Sequence, residues 1–322
     1  MAMKIQTAAE SVQVRRLDTR KSTRFPQDGD DRIVNGLLLP HISPSFSIPK
    51  GGTVFTMGSC FARELEENMT DVRLPTTEIS FPEDAVKGRP NSLLNEFNPA
   101  SMAQRINWAV EGQDTREFND SLIGTSDLSY DLLLAKGYHQ KVDRLLDIRH
   151  EIDGVYSSLV QSDVLVLTLG MTEAWKDLKT GHFLNRMPSG KSIRAQPDRY
   201  QYIGLDTDTV VGLLAQAIEK ALSAGIKNFL LTVSPVPLGT TFFLQDCTIS
   251  NSESKSTLRC AVGEIVRMFP GKVDYFPSYE IVLSGGMDAF LADNRHVKPH
   301  VIQAIMDHMI GHYMVGETAE RT

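Results

Sequence analysis

The run Val164-Leu165-Val166-Leu167-Thr168-Leu169, closed by Gly170, constrains this chain more than any other feature. A strand with one wet face alternates apolar and polar residues. A strand without that alternation is buried on both faces, the mark of a parallel sheet covered by helices. The same pattern recurs at Thr53-Val54-Phe55-Thr56-Met57 after Gly51-Gly52, and at Asn228-Phe229-Leu230-Leu231-Thr232-Val233 before Ser234-Pro235. A weaker run is Val273-Asp274-Tyr275-Phe276 before Pro277, and a further strand is expected near Val72 to Ile79.

Helical spacing fills the gaps. Val142, Leu145, Leu146, Ile152, Val155, Tyr156 and Leu159 recur at three and four residues, which predicts an amphipathic helix over 141–160. Segment 208–224 has Asp206 or Asp208 to cap it and Gly225 to stop it. Segments 255–268 and 299–313 read the same way, the last opened by Pro299 at a first helical position. Phe61 to Met69 is helical in composition. Strands alternating with helices predict an α/β doubly wound domain over 46–315. A polar, partly flexible N-terminal arm over 1–45 precedes it, and the stretch 80–140, too long for a minimal crossover, is expected to be a largely helical insertion.

The formal charge of −7 and pI of about 5.6 offer little to a phosphate backbone, so nucleic acid is not an expected partner. Cys60, Cys247 and Cys260 are odd in number and unpaired in spacing. They predict neither a disulfide framework nor a cysteine-based zinc site, and a reducing, cytoplasmic address. The N-terminus has no apolar run of signal-peptide length, and nothing reaches the ~18 to 20 apolar residues of a membrane span.

In open α/β sheets the reactive groups gather outside the C-terminal ends of the strands. Gly58-Ser59-Cys60 falls where the first strand turns into its helix, beside amides able to stabilise an anion. There a cysteine gains thiolate character, whereas a serine still needs a base. The competing reading is plain structure, with Ser59 an N-cap and Cys60 a small buried hydrophobe. His296 tips the balance. It lies in a loop after the last strand, and Asp293, three residues ahead, can bind its Nδ1–H and leave Nε2 as a base. Asp147 and His150 share that spacing but fall inside the 141–160 helix and read as a solvated pair.

Gly58-Ser59-Cys60-Phe61-Ala62 is the motif of the GSCFA family, and the chain resembles that family from about 45 to 312. The resemblance runs through Phe97-Asn98-Pro99, Leu167 to Trp175, Leu231 to Val236, Tyr275 to Glu280 and Asp293-x-x-His296. The family in turn resembles the SGNH (GDSL-type) hydrolases, which implies a three-layer, flavodoxin-like sheet of five parallel strands and activity on acyl esters. Laying the superfamily's Gly-Asp-Ser over Gly58-Ser59-Cys60 puts Cys60 at the nucleophile position. Gly-x-Asn-Asp falls on Gly170-Met171-Thr172-Glu173, so the oxyanion-binding Asn is replaced by Thr172, whose hydroxyl can still donate one hydrogen bond. The oxyanion is expected at the Cys60 N–H, Gly170 or its neighbourhood, and Thr172, with Asn98 as an alternative donor. Asp293 and His296 match unchanged.

The resemblance therefore implies an esterase or O-acyltransferase that forms a covalent acyl intermediate and acts on a small molecule or glycan. It requires no cofactor, with acyl-coenzyme A as the donor if the reaction is a transfer. The rival is a non-catalytic carbohydrate-binding or scaffolding protein that keeps the fold. Oligomeric state is left open. Pro188-Ser189-Gly190-Lys191-Ser192 ends like a phosphate loop, but Asn185 replaces its first glycine, so it reads as a turn. His296/His300 and His308/His312 have zinc-like spacing without a catalytic Glu, and no metal site is expected. Trp175, Tyr275 and Tyr279 read as core or rim packing before they read as a sugar-binding face.

Overall fold

The structure is a computed structural model that describes residues 5–314, apart from 20, 21, 84, 87 and 126. The expected domain end at 315, and residues 1–4 of the expected arm, lie outside the described residues. Helix α1 (Ala8–Leu17) opens the chain with a capping box between Thr7 and Glu10 and buries no residue. The hairpin β1 (Ile33–Val34) and β2 (Leu37–Leu38) follows, and Leu37 docks into the core. Next come β3 (Val54–Gly58), α2 (Cys60–Asn68) and α3 (Pro99–Glu111). A second hairpin, β4 (Leu122–Gly124) with β5 (Ser129–Asp131), precedes α4 (Val142–Ser157) and β6 (Val164–Leu169). An antiparallel annex then forms from β7 (Glu173–Asp177), β8 (Phe183–Leu184), the short α5 (Gly190–Ala195) and β9 (Tyr200–Gly204). The chain closes with α6 (Thr207–Ala224), β10 (Asn228–Val233), α7 (Cys247–Met268), β11 (Val273–Tyr275), α8 (Ser278–Ser284) and α9 (Pro299–Tyr313).

The central sheet is parallel throughout, in the order β11-β10-β6-β3, with Val54 and Asn228 both in register with Val164. Side chains alternate across it, as a strand's period of two requires. Phe55, Met57, Leu165, Leu167, Phe229 and Leu231 face a layer made by α3, α4, α6 and α7. Val54, Val164, Val166 and Leu230 face the opposite layer of α2, α8 and α9. Three layers result, and the unbroken apolar runs are explained by burial on both faces.

The strand expected near Val72 to Ile79 is reduced to one parallel bridge between Thr53 and Arg73. Its hydrogen bonds are there, from Val54 N–H to the Arg73 carbonyl and from Arg73 N–H to the Gly52 carbonyl, each 2.9 Å. Asp71 at φ 59°, a bend at Val72 and the 3-10 turn begun by Pro75 leave only Arg73 in the bridge. The sheet therefore has four strands where the resemblance implies five. Helix α7 begins at Cys247, well before the expected 255, because Asp246 caps a polar first half that carries no apolar stripe. Pro188 to Ser192 is not a free turn, since Ser189 caps α5 by accepting from Ser192 N–H at 3.0 Å. No helix among the described residues is long and apolar enough to cross a membrane.

Candidate active site

Ser59 leaves β3 and caps α2, its Oγ accepting from Phe61 N–H at 3.4 Å, and the side chain is buried. Cys60 is the first residue of α2 and only partly buried. Asn95 Nδ2 and Lys136 Nζ each approach Cys60 Sγ to 3.9 Å, and Arg89 donates to the Cys60 carbonyl at 3.2 Å. A helix end favours an anion by about 0.3–1 kcal/mol. An ammonium at about 4 Å attracts a thiolate by about 1 kcal/mol in water and about 4 kcal/mol at an effective dielectric of 20. Of the two, Lys136 contributes the larger field. Neither Asn95 nor Lys136 is found by sequence reasoning, because both come from the 80–140 stretch, whose path no periodicity reveals.

His296 and Asp293 share a tight loop closed by the bridge between Phe290 and Val297 and by the start of α9. Their side chains are half exposed, and His296 Nδ1 lies 2.5 Å from Asp293 Oδ2. The amides of Arg295 and His296 both donate to Asp293 Oδ1 at 3.0 Å. These bonds, led by the imidazole, hold the Asp293 carboxyl well below the usual carboxylate range. Nε2 of His296 has no partner among the described residues. Asp147 and His150 make no comparable bond among the described residues.

Glu64 lies one turn along α2 from Cys60, its carboxyl 3.9 Å from Arg89. Burial pushes its carboxyl up, while Arg89 and His296 favour its ionised form and oppose that push. Cys60 Sγ and His296 are not hydrogen-bonded to each other, and the polar contacts the thiol makes among the described residues are with Asn95 and Lys136.

The segment from Asn95 to Asn98 is laced between the ends of two strands. Glu96 N–H donates to the Gly58 carbonyl at 2.9 Å, and Met171 N–H donates to the Phe97 carbonyl at 3.1 Å. Gly170 is needed here, because a Cβ on it would lie 2.6 Å from the Phe97 oxygen. Asn185 anchors the segment from outside. It donates to Glu96 and to the Asn95 carbonyl and accepts from Ser101 Oγ at 3.1 Å. Asn98 caps α3, with Oδ1 accepting from Ser101 N–H at 2.9 Å, which leaves Nδ2 without a partner among the described residues.

Asn98, Met171, Trp175, Asn185, Phe242 and Arg295 line a cleft of about 570 Å³. Trp175 packs tilted against Tyr202 and edge-on against Phe242, at ring separations of 4.9 and 5.4 Å. Of the three aromatic candidates only Trp175 reaches this cleft. Tyr275 and Tyr279 pack against the core, and Tyr275 donates to Glu280 at 2.5 Å. Thr172 lies elsewhere. Its amide donates to Ser254 Oγ at 2.8 Å, and it lines a neighbouring cleft of about 650 Å³ with Asp206 and Ser250. Glu173 borders both clefts and accepts from Tyr202 and, at 3.1 Å, from Thr241. His308 and His312 spend a ring nitrogen each on backbone carbonyls, those of Pro40 and His308.

A model of the GSCFA family matches residues 53–309. None of the curated proteins compared matches the chain. Among solved structures, an acetyl-xylooligosaccharide esterase from Geobacillus stearothermophilus, a point mutant of Axe2, overlaps it at 12% identity and a TM-score of 0.36. That overlap covers 86% of this chain and 100% of the esterase. A catalytic mutant of the same acetylxylan esterase overlaps at 13% identity and a TM-score of 0.36, with the same coverage.

Proposed function

The chain belongs to the GSCFA family, and from that premise we propose that it is an acyl-ester enzyme with Cys60 as nucleophile, His296 as general base and Asp293 orienting the imidazole. The Asp293–His296 pair carries the reading. Three hydrogen bonds fix the carboxylate in a loop, Nδ1 is engaged, and Nε2 is left open. That is the arrangement a base needs in order to take a proton from a nucleophile. Cys60 is favoured over Ser59, whose Oγ is turned onto the Phe61 amide as a cap.

In this mechanism Nε2 takes the thiol proton as Sγ bonds to the ester carbonyl carbon. The bond from that carbon to the leaving oxygen, or to sulfur in a thioester, then breaks, and the leaving group takes the proton from His296. Water or an acceptor hydroxyl next gives a proton to Nε2, attacks the acyl-Cys60 thioester and releases the thiol. The amides of Met171 and Thr172 are already spent on Phe97 and Ser254. The oxyanion is therefore assigned to the free first-turn amide of Cys60 and to Asn98 Nδ2, each such donor contributing about 3 kcal/mol in studied enzymes. Whether the acceptor is water or a sugar hydroxyl, and whether acyl-coenzyme A is the donor, distinguishes esterase from transferase.

Mass spectrometry after incubation with acetyl-coenzyme A or an aryl acetate tests the reading, which expects an acetyl adduct on Cys60. An adduct on Ser59, or full turnover by Cys60→Ala, overturns it. The absence of a hydrogen bond between Cys60 and His296 favours the second reading, a binding protein that keeps the fold. Slow iodoacetamide labelling of Cys60, no faster than that of Cys247 and Cys260, would support that reading.

A further inference from the structure

We infer that the cleft beside this site takes an anionic substrate, whose carboxylate or phosphate is held by Arg186 and Arg295. The inference rests on the reading of the neighbouring site as an acyl-transfer centre and names the class of molecule that reaches it.

Both arginines line the one cleft, and neither makes a salt bridge with a carboxylate among the described residues. Arg186 is part-buried with its Cζ 5.1 Å from the centroid of the Tyr130 ring, and its guanidinium makes no hydrogen bond among the described residues. Burial pushes Arg186 down from the usual arginine value, against the opposing fields of Tyr130 and Asp131. Arg295 directly precedes His296, and only its backbone amide binds Asp293. Its guanidinium lies flat against Gly239, where a Cβ would stand 2.6 Å from Nη2 and 2.9 Å from Cζ. A glycine at that point gives the guanidinium a bed on the cleft wall.

Glu173 is the one carboxylate among the residues lining this cleft. It is buried and already accepts from Tyr202 and Thr241, so it does not serve as partner to either arginine. Two unpaired arginines in a chain of net charge −7 are a local feature, not a general property of the surface. Trp175, Phe242 and Met187 give the same cleft an apolar side for the body of the ligand. Planar donors facing an open cleft suit the paired oxygens of a carboxylate or phosphate.

Two sources carry that chemistry, the phosphates of an acyl-coenzyme A and the carboxylate of a uronic acid unit. Isothermal titration of the full chain with coenzyme A, with a uronic acid disaccharide and with its neutral counterpart separates them. One anionic probe is expected to bind, more weakly as salt rises, and the neutral sugar is not. Arg295→Gln and Arg186→Gln are each expected to weaken binding at least tenfold. Gly239→Ala, which displaces the Arg295 guanidinium without removing it, is expected to weaken binding less. Failure of both anionic probes to bind, equal binding of the neutral sugar, or unchanged affinity in both Gln variants overturns the inference. If a probe binds through the arginines but no ester ever acylates Cys60, the acyl-transfer reading fails and this one stands. If Cys60 is acylated and the Gln variants leave KM unchanged, the reverse holds.

Discussion

The Nζ of Lys255 lies 2.5 Å from the carbonyl oxygen of Gly170 and 2.8 Å from those of Ser234 and Val236. These carbonyls close the C-terminal ends of β6 and β10, the edge of the sheet where the candidate site is built. An ammonium has three N–H donors, and all three are used here in a fully buried position without a carboxylate. The neighbouring Ser254 holds the Thr172 amide, so one turn of α7 pins both loops.

Lys255→Met should therefore strand three buried carbonyls. With about 1–3 kcal/mol for each unsatisfied group, partly offset by relief of the buried charge, a loss on the order of 3 kcal/mol is expected. The midpoint of urea unfolding measures it, and an unchanged midpoint would refute the role assigned to Lys255.

The same residue predicts a pH dependence of stability. Burial pushes the Lys255 ammonium down to about 7, whereas an unfolded lysine titrates near ~10.4. Between those limits the unfolded chain binds more protons than the folded one, so stability rises with pH from about 7 to about 10. It is lost as pH falls through the folded value. Unfolding free energies measured across that window should rise in the wild type and flatten in Lys255→Met.

Lys136→Met should slow alkylation of Cys60 by iodoacetamide at neutral pH, because it removes an ammonium that lies 3.9 Å from the sulfur. Cys247 and Cys260, labelled in the same sample, provide the internal control. Equal slowing of all three thiols would point to a global change instead.

Asp293→Asn should leave the fold intact, since the pair is half exposed, and lower kcat by about 10² to 10⁴ through loss of the imidazole's orientation. Thermal unfolding and steady-state turnover of one preparation separate the two effects. Asp293 is held ionised by its hydrogen bonds, so the wild-type pH–rate profile should show no limb due to this carboxylate above about pH 4.

The layers were legible because a two-face-buried strand has an unmistakable composition, and Val164–Leu169, Asn228–Val233 and Pro299–Tyr313 fall where the pattern puts them. Local chemistry was legible too. Asp293 and His296 are close in sequence, so their bond needs no knowledge of the fold. Asn95, Lys136, Asn185 and Arg186 were not legible as neighbours of the site. They arrive by loops whose course is set by buried hydrogen bonds, such as those of Asn185 to Glu96 and Asn95, and such pairings leave no period in a sequence. The annex β7–β9 escaped notice because its strands are short and follow a run whose burial dominates the signal.

The register that puts Val54 beside Val164 also sets a timetable. Among the described residues strand β3 has one full partner, 110 residues downstream, and only the bridge at Arg73 on its other edge. At about 5–20 residues per second, a growing chain exposes the strand behind Cys60 for roughly 5–20 seconds before β6 exists to cover it. The loop of Asp293 and His296 comes later still. On the proposed mechanism the nucleophile is thus made early and equipped last, so a nascent chain would present Cys60 before the base proposed for it.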